Sequence, residues 1–177
     1  AEIIENFNNQ AKALDPYIDF FYFDVWCSIK EVKCGIEAIK EFKKPYLVGL
    51  HISEGTTLPS GESIKEIKDI IDENALGVIL ACVSPENFEK NLYELKSLNI
   101  PFGFKLNVFV TTKLKESYTS IFIGNKSNPN EILGKREDLT PTRIKEIAKE
   151  FKDAGATIIG GCCETSPSHI EAMAKIK

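Results

Sequence analysis

No apolar run in this chain approaches the roughly 20 residues that a membrane-spanning helix needs; the longest, such as residues 78–83, stop far short. No basic-then-apolar leader stands at the start, and together these absences predict a cytosolic protein rather than a membrane-bound or exported one. There is no surplus of positive charge either. The formal net charge is -4, with Lys and Glu interleaved, so no basic face exists to neutralise a phosphate backbone and nucleic acid is not an expected partner. Histidine is scarce, with two in 177 residues, and no His–carboxylate pair lies near the cysteines to act as a general base. The five cysteines do not make an even set. Two of them, Cys162 and Cys163, are neighbours, so a disulfide framework fits poorly. The chain opens at Ala1 without an initiator Met, which suggests that an upstream segment is missing.

With 43% hydrophobic and 27% charged residues, the composition is that of a globular domain with one core. Apolar runs alternate with amphipathic stretches, the pattern of βα units on a parallel sheet. Five strands are predicted, at residues 18–25, 46–52, 76–82, 102–107 and 157–162. Most are apolar throughout, as expected of strands covered on both faces. Between them the period shifts toward 3.6, as in Ile64, Ile67 and Ile71, or Ile144, Ile147, Ala148 and Phe151, which predicts helices. Ser28 with Glu31 is a candidate capping box, while Ser84-Pro85, Thr140-Pro141 and Ser166-Pro167 each put a cap residue before a first-turn proline. Residues 108–138 break the rhythm with a polar stretch longer than a βα connection needs. It is either an active-site lid, an oligomer contact or an ordinary surface loop.

Cys82 ends one predicted strand, and Cys162-Cys163 end another after Gly160-Gly161. All three sulfurs thereby fall at the carboxyl edge of a parallel sheet, where sites are built. Each is followed by a Ser-Pro helix start, whose free N–H groups and positive dipole end favour thiolate. The two glycines are expected to let the backbone bend so that consecutive side chains converge. Three thiolates around a borderline-soft metal, with a fourth position open, make a catalytic rather than a structural zinc site. Against this stands the plain alternative that these are buried cysteines of no function. Cys27 and Cys34 stay with that alternative. His51, at another strand end, either donates to a substrate carboxylate or is structural, and no motif supports the first.

The segment from Gly155 to Ile170, GATIIGGCCETSPSHI, resembles the closing signature of the homocysteine S-methyltransferase family. That family includes betaine-homocysteine methyltransferases and the homocysteine module of cobalamin-dependent methionine synthase. Cys82 stands where the family has its first zinc cysteine, followed by Ser84-Pro85-Glu86-Asn87, and Asn107 after Phe104-Lys105-Leu106 matches the asparagine of a Tyr-Pro-Asn turn. Asp24 falls where relatives carry the glutamate that holds the substrate amino group. The resemblance implies zinc on Cys82, Cys162 and Cys163, with Asp24 and Asn107 near the amino-acid end of homocysteine. The departures are Asp24 for that glutamate, Val25 for a threonine and Ala81 for an asparagine; they touch the substrate contacts rather than the metal ligands.

The fold implied is a (β/α)8 barrel, which takes about 250 residues. Residues 1–177 would supply the carboxyl-terminal five βα units, with the amino-terminal strands missing or provided by a second chain. The implied activity is zinc-dependent transfer of a methyl group from an activated donor to the thiol of homocysteine, giving methionine. Two alternatives remain open: the homocysteine module of a cobalamin-dependent methionine synthase, and a non-catalytic zinc-binding scaffold.

Overall fold

The computed structural model describes residues 2–112 and 133–176. Five parallel strands lie side by side in chain order: β1 (Phe21–Trp26), β2 (Tyr46–Leu50), β3 (Ala75–Val83), β4 (Phe102–Leu106) and β5 (Ile158–Gly161). Each begins and ends within three residues of its predicted bounds. Helices α1 (Glu2–Leu14), α2 (Ile29–Ile39), α3 (Pro85–Ser97), α4 (Pro141–Asp153) and α5 (Pro167–Ala174) accompany them. Of these, α1 precedes every element expected from the sequence; it lies against α2, where Asn8 Nδ2 donates to the Ala38 carbonyl at 2.8 Å.

The cap residues act as predicted at two Pro-led starts. Ser84 Oγ accepts from Asn87 N–H, and Thr140 Oγ1 from Arg143 N–H. At α2 only half of the expected box forms. Ser28 Oγ accepts from Glu31 N–H, but the Glu31 carboxylate takes the N–H of Cys27, one residue earlier. The stretch from Ile64 is a correction: it folds as a six-residue 3-10 helix, Ile64–Asp69, not as an α-helix. Ile64, Ile67 and Ile70 are spaced by three, the period at which 3-10 side chains stack, and the first two are fully buried.

Side chains alternate along each strand. Phe104 of β4 meets Phe88 of α3 and Phe151 of α4, with ring centres 5.0 and 5.7 Å away. Val48, Leu50, Val78, Leu80 and Leu106 are also fully buried. This is the core, between sheet and helices. The opposite face carries Tyr22, Asp24, Gly49, Gly103 and Lys105. In a flat sheet, β1 and β4 would lie roughly 14 Å apart, too far for an aspartate and a lysine to meet. Yet Lys105 Nζ on β4 is 2.7 Å from Asp24 Oδ2 on β1. The sheet is therefore curved, and the pair is a chord across its concave side. Sequential parallel order with strong curvature describes an arc of a barrel.

Of the long polar stretch at 108–138, residues 113–132 lie outside the described residues. Its two flanks pair antiparallel: Val110 N–H donates to Gly134 O at 3.0 Å and Arg136 N–H to Val108 O at 2.9 Å. The Arg136 guanidinium then bonds Glu86 on α3 and Asp138, fixing the base of the stretch beside the sheet edge. Among the described residues, no helix is long and apolar enough to cross a membrane.

Candidate metal centre

Cys82 is the bulged residue of β3. The register against β4 slips between Ala81 and Val83, and Cys82 adopts φ 53°, a left-handed conformation uncommon for a residue with a side chain. Two side chains hold it there. Asn107 Nδ2 donates to the Cys82 carbonyl at 2.7 Å and lies 3.7 Å from its sulfur, while Asn107 Oδ1 accepts from Phe109 N–H at 3.1 Å. His51 Nδ1 meets the carbonyl of Ala81 at 3.2 Å and Nε2 the Ser53 hydroxyl at 2.9 Å. Nδ1 is thus the protonated nitrogen, since a carbonyl only accepts. His51 is occupied within the chain, in keeping with a structural role.

Cys162 and Cys163 follow β5, and the ladder of β4 and β5 runs on into them. Cys162 N–H donates to Leu106 O at 2.7 Å, and Val108 N–H to Cys163 O at 3.1 Å. The expected bend at Gly160-Gly161 is absent, because neither residue has positive φ. Gly161 is needed for room instead, since a Cβ there would run into Thr165 and Ile170. The turn comes later, at Glu164, with φ 62°.

The three sulfurs lie within 4.8 Å of one another. Cys82 Sγ is 3.8 Å from Cys163 Sγ, which is 4.0 Å from Cys162 Sγ. Ligands at about 2.3 Å in a tetrahedral arrangement would be about 3.8 Å apart, so this soft donor set fits zinc. The predicted trio is brought together; Cys27 and Cys34 are not part of it, and all five thiols are free. The hydrogen bond from Cys82 pulls the Cys162 thiol down to about 6, with help from the Cys163 backbone N–H and the charge of Lys105. The same bond, with burial, raises Cys82, and burial raises Cys163.

Asp24 and Asn107 sit differently from each other. Asn107, buried at 1% exposure, touches Cys82 directly. Asp24 is at the end of β1, with one oxygen on Lys105 and the other accepting from the Tyr22 hydroxyl at 2.6 Å. Burial and that bond hold the Tyr22 phenol well above its ordinary range, so it stays a donor. Val25, beside Asp24, has φ 62°, a strained conformation for a β-branched residue. Lys105 and Tyr22 were not among the candidates drawn from the sequence. The alternation that puts Tyr22, Asp24 and Lys105 on one face was legible, but the curvature that joins β1 to β4 was not.

The family model described as Homocysteine S-methyltransferase matches residues 1–176. Homocysteine S-methyltransferase 1 of Saccharomyces cerevisiae is 29% identical over 97% of this chain and 50% of its own length. Homocysteine S-methyltransferase 1 of Zea mays is 26% identical over 89% of this chain and 46% of its own. The chain thus spans about half the length of these relatives. Among solved structures, the apo form of the homocysteine methyltransferase MmuM from Escherichia coli superposes with a TM-score of 0.67 at 16% identity. It covers 98% of this chain and 58% of MmuM, a likeness of fold.

Proposed function

Because the chain belongs to the homocysteine S-methyltransferase family, we propose that it forms the metal-bearing part of a methyltransferase whose acceptor is the thiol of homocysteine. The observation that carries this is the convergence of Cys82, Cys162 and Cys163 at the carboxyl ends of β3 and β5. These three residues would hold zinc and leave a fourth position for the substrate. Zinc bound there would supply the acceptor sulfur as thiolate at neutral pH, where a free thiol with pKa near 8.5 is mostly protonated.

The remaining work falls to the chain's own groups. Asn107 orients Cys82 by holding its carbonyl and donating toward its sulfur, as residues behind metal ligands commonly do. Asp24 is the carboxylate that would receive the substrate ammonium, with Tyr22 fixing its other oxygen. The N-termini of α3 and α5, just past the cysteines, favour negative charge on them. In the transfer the acceptor sulfur bonds to the methyl carbon as the carbon–donor bond breaks. The sulfur carries no proton at that point, so no base is required, consistent with His51 being engaged elsewhere.

Calorimetry of homocysteine binding to the full-length protein, in buffers of different ionisation enthalpy, tests this directly. Close to one proton should be released below the free thiol's pKa, and homoserine, which has no sulfur, should bind weakly with little release. Equal affinity for the two ligands would contradict thiol activation.

A further inference from the structure

The ammonium of Lys105 sits inside this site and has no part in the proposal above. It lies 2.7 Å from Asp24 Oδ2 and 5.1 Å from the centre of the Tyr22 ring. We infer that Lys105 is a specificity-determining residue: it takes the carboxylate of an amino-acid thiol, while Asp24 takes the ammonium of the same molecule. The inference rests on the proposed function and names how that site selects its acceptor.

The ion pair crosses the concave face from β4 to β1, and its side chains are 23% and 43% exposed, so a ligand in the arc can reach both. Breaking such a pair for a ligand with one charge leaves the other partner uncompensated, which is costly where water is displaced. A thiol bearing only an ammonium would strand Lys105. A thiol bearing only a carboxylate would strand Asp24, apart from the Tyr22 hydroxyl. A zwitterion does neither: its ammonium replaces Lys105 at Asp24 and its carboxylate receives the displaced Lys105 ammonium. The flexible four-carbon stem of lysine permits that swing while its root stays fixed in β4. The sulfur end then points along the strands toward the cysteines, because Lys105 is two residues before Asn107, which follows β4 directly, and pairs with Gly160, two before Cys162.

Three thiols separate these demands: homocysteine, γ-mercaptobutyrate, which lacks the amino group, and aminopropanethiol, which lacks the carboxylate. Their dissociation constants are measured by calorimetry on full-length, zinc-loaded protein, wild type and Lys105→Met. The wild type should prefer homocysteine to both trimmed thiols. Lys105→Met should weaken homocysteine and γ-mercaptobutyrate by about 10-fold or more and leave aminopropanethiol unchanged or tighter, since Asp24 is then free. Lys105→Arg should restore the wild-type order, and Lys105→Gln carries the same test as Lys105→Met should the latter not fold. Equal weakening of all three thiols, or none, would overturn the inference and leave the thiol chemistry standing. Wild-type protein that binds the thiols equally well after zinc removal would instead overturn the proposed function, and this inference with it.

Discussion

Cys82 shows how much of the site is set by backbone geometry at one residue. Its φ of 53° turns a side chain out of the strand's alternation, and a position of this kind persists only where its surroundings hold it. Asn107 and the His51 imidazole, which bonds the preceding carbonyl, are those surroundings. Replacing Asn107 with Ala leaves a buried carbonyl and the Phe109 N–H unpaired. We expect a loss of about 1–3 kcal/mol in stability by denaturant titration and roughly 10- to 100-fold weaker zinc binding in a chelator competition. Unchanged zinc affinity would show that Asn107 does not orient Cys82. The thiols also differ in reactivity. With Cys162 ionising at about 6 and Cys82 held above the ordinary value, alkylation of metal-free protein at pH 7 should mark Cys162 first and Cys82 last. The Cys162 rate should fall as pH drops through about 6, because the thiolate is lost below its pKa. Peptide mapping by mass spectrometry reads both, and equal labelling of the two would contradict the assignment. The cysteines themselves were legible in the sequence through their placement at strand ends. The left-handed turn at Cys82 was not, since nothing in Ala81-Cys82-Val83 signals a bulge.

At the scale of elements, the strands and the Pro-led helix starts were legible because burial on both faces and cap chemistry leave local marks. The 3-10 helix was misjudged because Ile64, Ile67 and Ile71 satisfy an α-helical period as well as Ile64, Ile67 and Ile70 satisfy a period of three. Other constraints are purely tertiary. Gly35 in α2 faces the Trp26 ring so closely that a Cβ would overlap it, and Trp26 is stacked between Phe7 and Phe23, with ring centres at 4.9 and 4.4 Å. Helix propensity alone predicts that Gly35→Ala stabilises by up to about 1 kcal/mol. Overpacking predicts the reverse, a loss of about 1–3 kcal/mol, and the second should win because the overlap falls on the rigid edge of an indole already stacked on Phe7 and Phe23. A thermal melt decides the sign, and a raised midpoint would mean that the stack gives way.

For the whole molecule, curvature is what converts a sequence pattern into a site. Cys82 sits at the carboxyl end of β3 and Cys162-Cys163 follow β5, with β4 between them, and Asp24 and Lys105 meet only because the sheet closes toward itself. Among the described residues β1 and β5 each pair on one side, edges that further strands would cover in a complete barrel. The parallel sheet was legible in the βα rhythm and the barrel only through the family resemblance; the cross-sheet contacts were legible in neither, since they depend on the closing angle and not on any local motif. The central claim is that the three thiolates together hold one metal. Elemental analysis of full-length protein purified without chelator measures it most directly. One zinc per chain is expected, lost on Cys162→Ala and retained on Cys34→Ser; full zinc occupancy in Cys162→Ala would contradict the account.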